Sequence, residues 1–124
     1  MKCLSVKQPF ATWLVEGIKN REIRKGNTNH RGMLLIHSSK APDVEFFRQF
    51  GINPEKFKNG VILGVVKLDN VIRKDMEYYS WIIETIRVFK DTIPYDGQLG
   101  IFEVNNEVIE KEINVKRLEV QGEV

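Results

Sequence analysis

Cysteine is almost absent from the 124 residues: Cys3 stands alone, so no intramolecular disulfide can form and the paired thiols of a structural zinc site are missing. Histidine is nearly as scarce, with only His30 and His37. No His, Cys and carboxylate spacing matches a known metal site, so neither a metal nor another cofactor is expected. Long apolar runs are also lacking. None approaches the roughly 20 residues that cross a bilayer, and the N-terminus has no apolar core of a secretion signal. The expectation is a soluble, unprocessed protein of the cytoplasm with no membrane partner. An excess of one charge sign is missing too: 19 Lys and Arg against 17 Asp and Glu leave a formal charge of +2. Any basic surface must therefore be local. No internal repeat, linker or low-complexity tract breaks the chain. Its length and 42% hydrophobic content suit one compact core, so residues 1–124 are expected to form a single domain.

What charge there is lies unevenly. Lys2, Lys7, Lys19, Arg21, Arg24, Lys25, Arg31 and Lys40 face only Glu16 and Glu22 in the first third of the chain. Within that third, Lys2 to Val6 alternates polar and apolar residues and predicts a short first strand. Gln8-Pro9 then opens a helix, with Pro9 suited to its first turn. That helix should run to about Glu16 and stop at Gly17. A second strand is expected over about Arg21 to Lys25, a loop over residues 26–32, and a third strand from Met33 to Ser38. Ala41 to Phe50 reads as a packing helix with Pro42 in its first turn and Gly51 as its stop. The β-branched run from Val61 to Ile72 predicts a long strand, in which Gly64 permits a bulge or sharp bend. Short strands around Trp81 to Ile83 and Leu99 to Val104, the latter after an Asp96-Gly97 turn, and a hairpin at Asn105-Asn106 complete the sheet. The residues from Lys111 onward read as a strand or a loose tail.

The segment Gly17-Ile18-Lys19-Asn20-Arg21-Glu22-Ile23-Arg24 stands out because mixed charges fall where the apolar pattern changes from helix to strand. Phe10, Ala11, Trp13, Leu14 and Ile18 recur at helical spacing before it. After it Glu22 and Arg24 flank Ile23, so a strand would show both charges on one face. With Lys19 at the turn, a carboxylate would sit among two or three cations at the edge of a sheet or barrel. Such a cluster would read a polar ligand, or it would be an ion-pair group that neutralises the edge and needs no ligand.

The surrounding residues extend this segment. Leu4-Ser5-Val6-Lys7-Gln8-Pro9-Phe10-Ala11, Gly17-Ile18-Lys19, Glu22, Arg24 and His30-Arg31-Gly32 occur together in order, and the set resembles the ASCH (activating signal cointegrator homology) family. Its motif, Gly-x-Lys-x-x-Glu-x-Arg, is met by Gly17, Lys19, Glu22 and Arg24. The resemblance is good from Lys2 to about Ile72 and weaker beyond, where Trp81-Ile82-Ile83-Glu84 and residues 94–100 look like the family's closing strands. It implies an α+β fold of PUA-like type: a small, mostly antiparallel β-barrel with helices at its rim and a cleft beside the motif strand. It also implies a tie to RNA metabolism and nucleic-acid binding, with some relatives being hydrolases of RNA or of N4-acylated cytidine.

On that reading Lys19 and Arg24 would hold a phosphate or polarise a carbonyl, while Glu22 would accept hydrogen bonds from a base's amino group. Lys7 and Gln8, at the first helix start, would meet an anion or simply cap the helix. Arg31 would add charge along a phosphate path, and Glu84 would stand on the opposite wall. His37 reads as a packed, hydrogen-bonded core histidine, Trp81 as a packing aromatic, and Cys3 as a small buried side chain.

The first functional reading is a module that binds RNA, a nucleoside or a nucleotide, with DNA also allowed as a partner. A metal-independent hydrolase is the alternative, in which Lys19 and Glu22 would be catalytic. In a relative that cleaves an amide on cytidine, however, a threonine nucleophile occupies the position of Glu22. A ribonuclease would need a further group such as His30 or Tyr95. A third class, a protein-interaction adaptor, would show an exposed apolar patch away from the motif.

Overall fold

The computed structural model describes residues 1–122. Six strands, β1 (Lys2–Val6), β2 (Arg21–Arg24), β3 (Gly32–Ser38), β4 (Val61–Arg73), β5 (Tyr79–Pro94) and β6 (Ile101–Glu103), form one sheet in the order β2-β5-β4-β3-β1-β6. Only the β1–β3 pairing is parallel, and every other pair is antiparallel. The sheet curls into a half-barrel carrying four short helices, α1 (Phe10–Glu16), α2 (Val44–Phe50), α3 (Asn106–Ile109) and α4 (Val115–Gly122). This is the α+β, PUA-like architecture expected, with β2 and β6 as its two edges.

The curl has local causes. The β4–β5 ladder slips between Ile62 and Gly64, between Val65 and Val66, and between Leu68 and Asn70. Each irregularity adds bend and twist to an otherwise long ribbon. At Gly64 the facing strand comes so close that a Cβ would collide with the Arg87 carbonyl oxygen. Only glycine permits that approach.

Alternation along β1 and β3 then sends side chains to two cores. Leu4, Val6, Leu34 and Ile36 pack under α1 with Ala11, Leu14, Trp81 and Ile83. Cys3 and Leu35 pack on the other face with Phe89, Phe102, Ile109, Ile113 and Val115. Burial pushes the Cys3 thiol up to about 12, as expected for a thiolate denied water.

Several expectations need correction. Pro9 is the residue before α1 rather than its first turn, and the Gln8-Pro9 peptide is cis. Pro42 precedes α2, whose cap is Asp43, the side chain of which accepts from the Phe46 N–H. The strand expected at Trp81 to Ile83 is 16 residues long. Its outer half, from Glu84 to Val88, is solvent-exposed, so it lacks the half-buried alternation that marks a strand in sequence, yet it pairs with β4 throughout. The last strand is trimmed to Ile101–Glu103, and Leu99 before it is fully exposed. Asn105-Asn106 makes no hairpin: the Asn105 side chain accepts from the Glu107 N–H and starts α3, the usual competition between asparagine capping and turn formation. Past Lys111 a turn leads into helix α4 from Val115, with Ile113 and Val115 buried; residues 123–124 of the expected strand or tail lie outside the described residues.

Candidate ligand-binding cleft

The motif segment is shaped by a helix stop. Gly17, at φ 78°, closes α1 with its N–H on the Leu14 carbonyl, the left-handed cap that glycine adopts without a side-chain penalty. The chain reverses, and the Lys19 N–H returns to the Trp13 carbonyl. β2 then pairs with β5, with Glu22 opposite Trp81 and Arg24 opposite Tyr79.

This puts the Glu22 carboxylate between the expected cations. One oxygen accepts from Lys19 Nζ at 2.9 Å and the other from Arg24 Nη1 at 3.3 Å. Glu22 is only 8% exposed. Both cations are braced by rings: Lys19 Nζ lies 4.7 Å from the Phe10 centroid and the Arg24 guanidinium 5.7 Å from that of Trp81, within the range of cation–π attraction. The cluster is thus held from two sides, by its carboxylate and by its aromatics.

Glu22 and Arg24 form one wall of an open cleft of about 790 Å³, a size typical of small-molecule sites. The floor comes from the ends of β1 and β3, with Ser5, Lys7, His37 and Ser39. The facing wall is the loop from Asp96 to Gly100 that leads into β6. The cleft therefore occupies the seam where the two edges of the half-barrel approach without pairing. A neighbouring depression shares Lys7, Arg24 and Gly100 and extends along residues 25–28 to Tyr78 and Trp81. Lys7 makes no ion pair among the described residues, and Lys40 on the rim pairs only with the exposed Asp96.

The structure brings Lys7, Lys19, Glu22 and Arg24 together and leaves three expected residues elsewhere. Gln8 is fully buried and occupied: its side chain bonds the N–H and hydroxyl of Thr12 and the Lys58 carbonyl. It ties the helix start to the chain before β4. Arg31 folds its guanidinium onto the Thr28 and His30 carbonyls of its own loop and does not line the cleft. Glu84 sits on exposed β5 beside Lys67 and is no part of the opposite wall; that wall is the loop instead. The two helpers considered for a ribonuclease also lie outside. His30 is bound to the Met33 carbonyl, and Tyr95 stacks on Phe102. Trp81 does pack in the core as expected, its indole N–H donating to the Gly26 carbonyl.

Sequence reasoning missed Ser5, Ser39 and Lys40 as cleft residues, and placed His37 in the core without seeing that its edge reaches the cleft floor. The available signal was small: one polar residue near the end of each of two apolar strands. Among the described residues no group of three or more His, Cys, Asp or Glu side chains is placed to hold a metal ion, and no helix is long and apolar enough to cross a membrane.

Comparison with known proteins agrees with the fold. The model of the ASCH domain matches residues 4–113. The chain is also similar to human activating signal cointegrator 1, with 35% identity over 85 residues, covering 53% of this chain and 13% of that protein. It thus spans a small part of the curated relative it matches.

Proposed function

This chain belongs to the ASCH domain family, and we propose that it works as an RNA-binding module that seats one nucleoside in the seam cleft while the adjoining depression and its lysines follow the backbone. ASCH domains are PUA-like and generally associated with RNA. The observation that carries the reading is the position of Glu22: a carboxylate nearly removed from water, fixed by two cations, yet lining an open concave site. An ion pair that only neutralised a sheet edge would need no cleft beside it. Arg24, shared between the cleft and the depression, and Lys7 at their junction, without an ion pair among the described residues, supply donors for phosphate or carbonyl oxygens. Both Glu22 oxygens are engaged by cations, which suits a fixed acceptor better than a base that must take up a proton.

The test is anisotropy of a labelled single-stranded RNA titrated at 50 and 200 mM salt. Binding should weaken with salt, as release of counterions from phosphate requires. Lys7→Ala and Arg24→Ala should each weaken it by about ten-fold. Parent and variants binding equally would remove the cleft from the reading. Release of acetate from N4-acetylcytidine in the presence of chelator would replace binding by hydrolysis as the primary activity.

A further inference from the structure

We infer that Ser5 is a specificity-determining residue of the cleft, one that accepts a hydrogen bond from the ligand, so that the site takes amino-bearing nucleobases in preference to their oxo counterparts; this deepens the RNA-binding reading and rests on it. Ser5 and His37 are register partners across the parallel β1–β3 pair. The Ser5 hydroxyl lies 2.9 Å from His37 Nδ1, and His37 Nε2 lies 2.7 Å from the Tyr95 carbonyl oxygen. A carbonyl can only accept. In the neutral imidazole the proton is therefore on Nε2, and Nδ1 is an acceptor. The Ser5 hydroxyl must give its proton to Nδ1, and what it turns to the cleft is lone pairs alone.

His37 is 1% exposed and its ring packs edge-on to Phe102, so the relay cannot rotate freely to reverse these roles. The loop wall presses on it as well. A Cβ at Gly97 would come within 2.5 Å of both His37 Cε1 and Ser5 Oγ, so glycine is what lets the loop close over the pair. On the other wall Glu22 is also an acceptor, and each of its oxygens keeps a second lone pair after binding Lys19 or Arg24. Ser5 and Glu22 thus accept from two sides of the cleft; of its charged donors, Lys7 and Arg24 are shared with the depression beside it and Lys40 is paired with Asp96. A base with an exocyclic amino group satisfies such a surface. A base with a carbonyl at that place sets oxygen against oxygen, and its own acceptor loses water without gaining a donor.

Isothermal titration with cytidine and uridine monophosphates, and with adenosine and inosine monophosphates, isolates the base because sugar and phosphate are common to each pair. The amino member of each pair should bind about five-fold tighter or more. Ser5→Ala should bring the ratio close to one with little change for the oxo member, Ser5→Thr should keep the preference, and Gly97→Ala should lower it by displacing the pair. Equal binding of amino and oxo members by the parent, or full discrimination by Ser5→Ala, overturns the inference. The same samples titrated with single-stranded RNA separate the two levels: RNA bound without base preference removes this inference alone, whereas no binding of RNA or mononucleotide removes the reading beneath it.

Discussion

Two surfaces of this molecule meet at one pair of side chains and are built on opposite plans. On one side of Lys19 lies the seam cleft, with Glu22, Arg24 and Lys7 around a concave polar site. On the other lies an aromatic face from α1 and α2. Phe10 packs edge-on to Trp13 and Phe46, and Phe46 lies 4.6 Å from Phe50, which is 60% exposed. Val44 at the start of α2 is exposed as well. The Lys19 ammonium over the Phe10 ring joins the two. An exposed apolar patch away from the cleft is what a protein-interaction adaptor would show, and a concave cationic cleft is what an RNA module would show; the chain has both. The cleft, however, combines charge, concavity and fixed geometry, whereas the aromatic face offers contact area beside a solvent-exposed Arg48–Glu45 pair. Specific recognition of a nucleoside needs the former.

That contrast can be broken from either side. The largest effect should come from Glu22→Ala, which leaves Lys19 and Arg24 without their carboxylate. Breaking a charge group whose carboxylate is buried and whose cations are partly exposed should cost about 2 kcal/mol by urea unfolding, and RNA affinity should fall at least ten-fold in the anisotropy titration. Phe10→Ala strikes the joint between the surfaces. The loss of a partly buried ring and of the brace under Lys19 should cost about 2 kcal/mol in stability, with RNA affinity reduced only about three-fold because Glu22 still holds the lysine. Phe50→Ser at the exposed end of the ladder should change stability by less than about 0.5 kcal/mol and leave RNA affinity unchanged within error. A ten-fold loss of RNA binding there would move recognition to the aromatic face.

The smallest effect concerns the anchor of the loop wall. The Lys2 ammonium, bonded at 2.7 Å, holds the Glu103 carboxyl below the usual glutamate range. Because the native pKa is depressed, this contribution is complete above the unfolded glutamate value of about 4.3 and fades as pH falls through the native one. Glu103→Gln should therefore flatten slightly the acid side of a stability profile and leave the neutral plateau almost untouched, since the pair is solvent-exposed.

How much of this could be read from the chain follows the distance over which each feature is encoded. The motif wall is local. A glycine stop, a lysine in the reversal and two charges alternating with Ile23 specify their own conformation within eight residues, and the structure arranges them as the alternation predicts. The long β4 and its bend at Gly64 were legible for the same reason. The floor and the facing wall are not local. Ser5 meets His37 only because β1 pairs parallel with β3, and Gly97 reaches both only through the return of the chain into β6. No periodicity announces such pairings. Glu84 and Arg31 were misplaced because charge alone does not say which way a strand or loop side chain turns. The length of β5 was hidden by its solvated outer half, and α3 by an asparagine pair that favours a turn and a helix cap about equally.

The most direct measurement is a titration of isotope-labelled protein with a short single-stranded RNA, followed by amide and side-chain NMR shifts. Perturbations gathered at Ser5 to Lys7, Glu22 to Arg24, Ser39 to Lys40 and Asp96 to Gly100, with Val44 to Phe50 silent, are the predicted result. Shifts gathered on Val44 to Phe50 with the seam residues unmoved would contradict it.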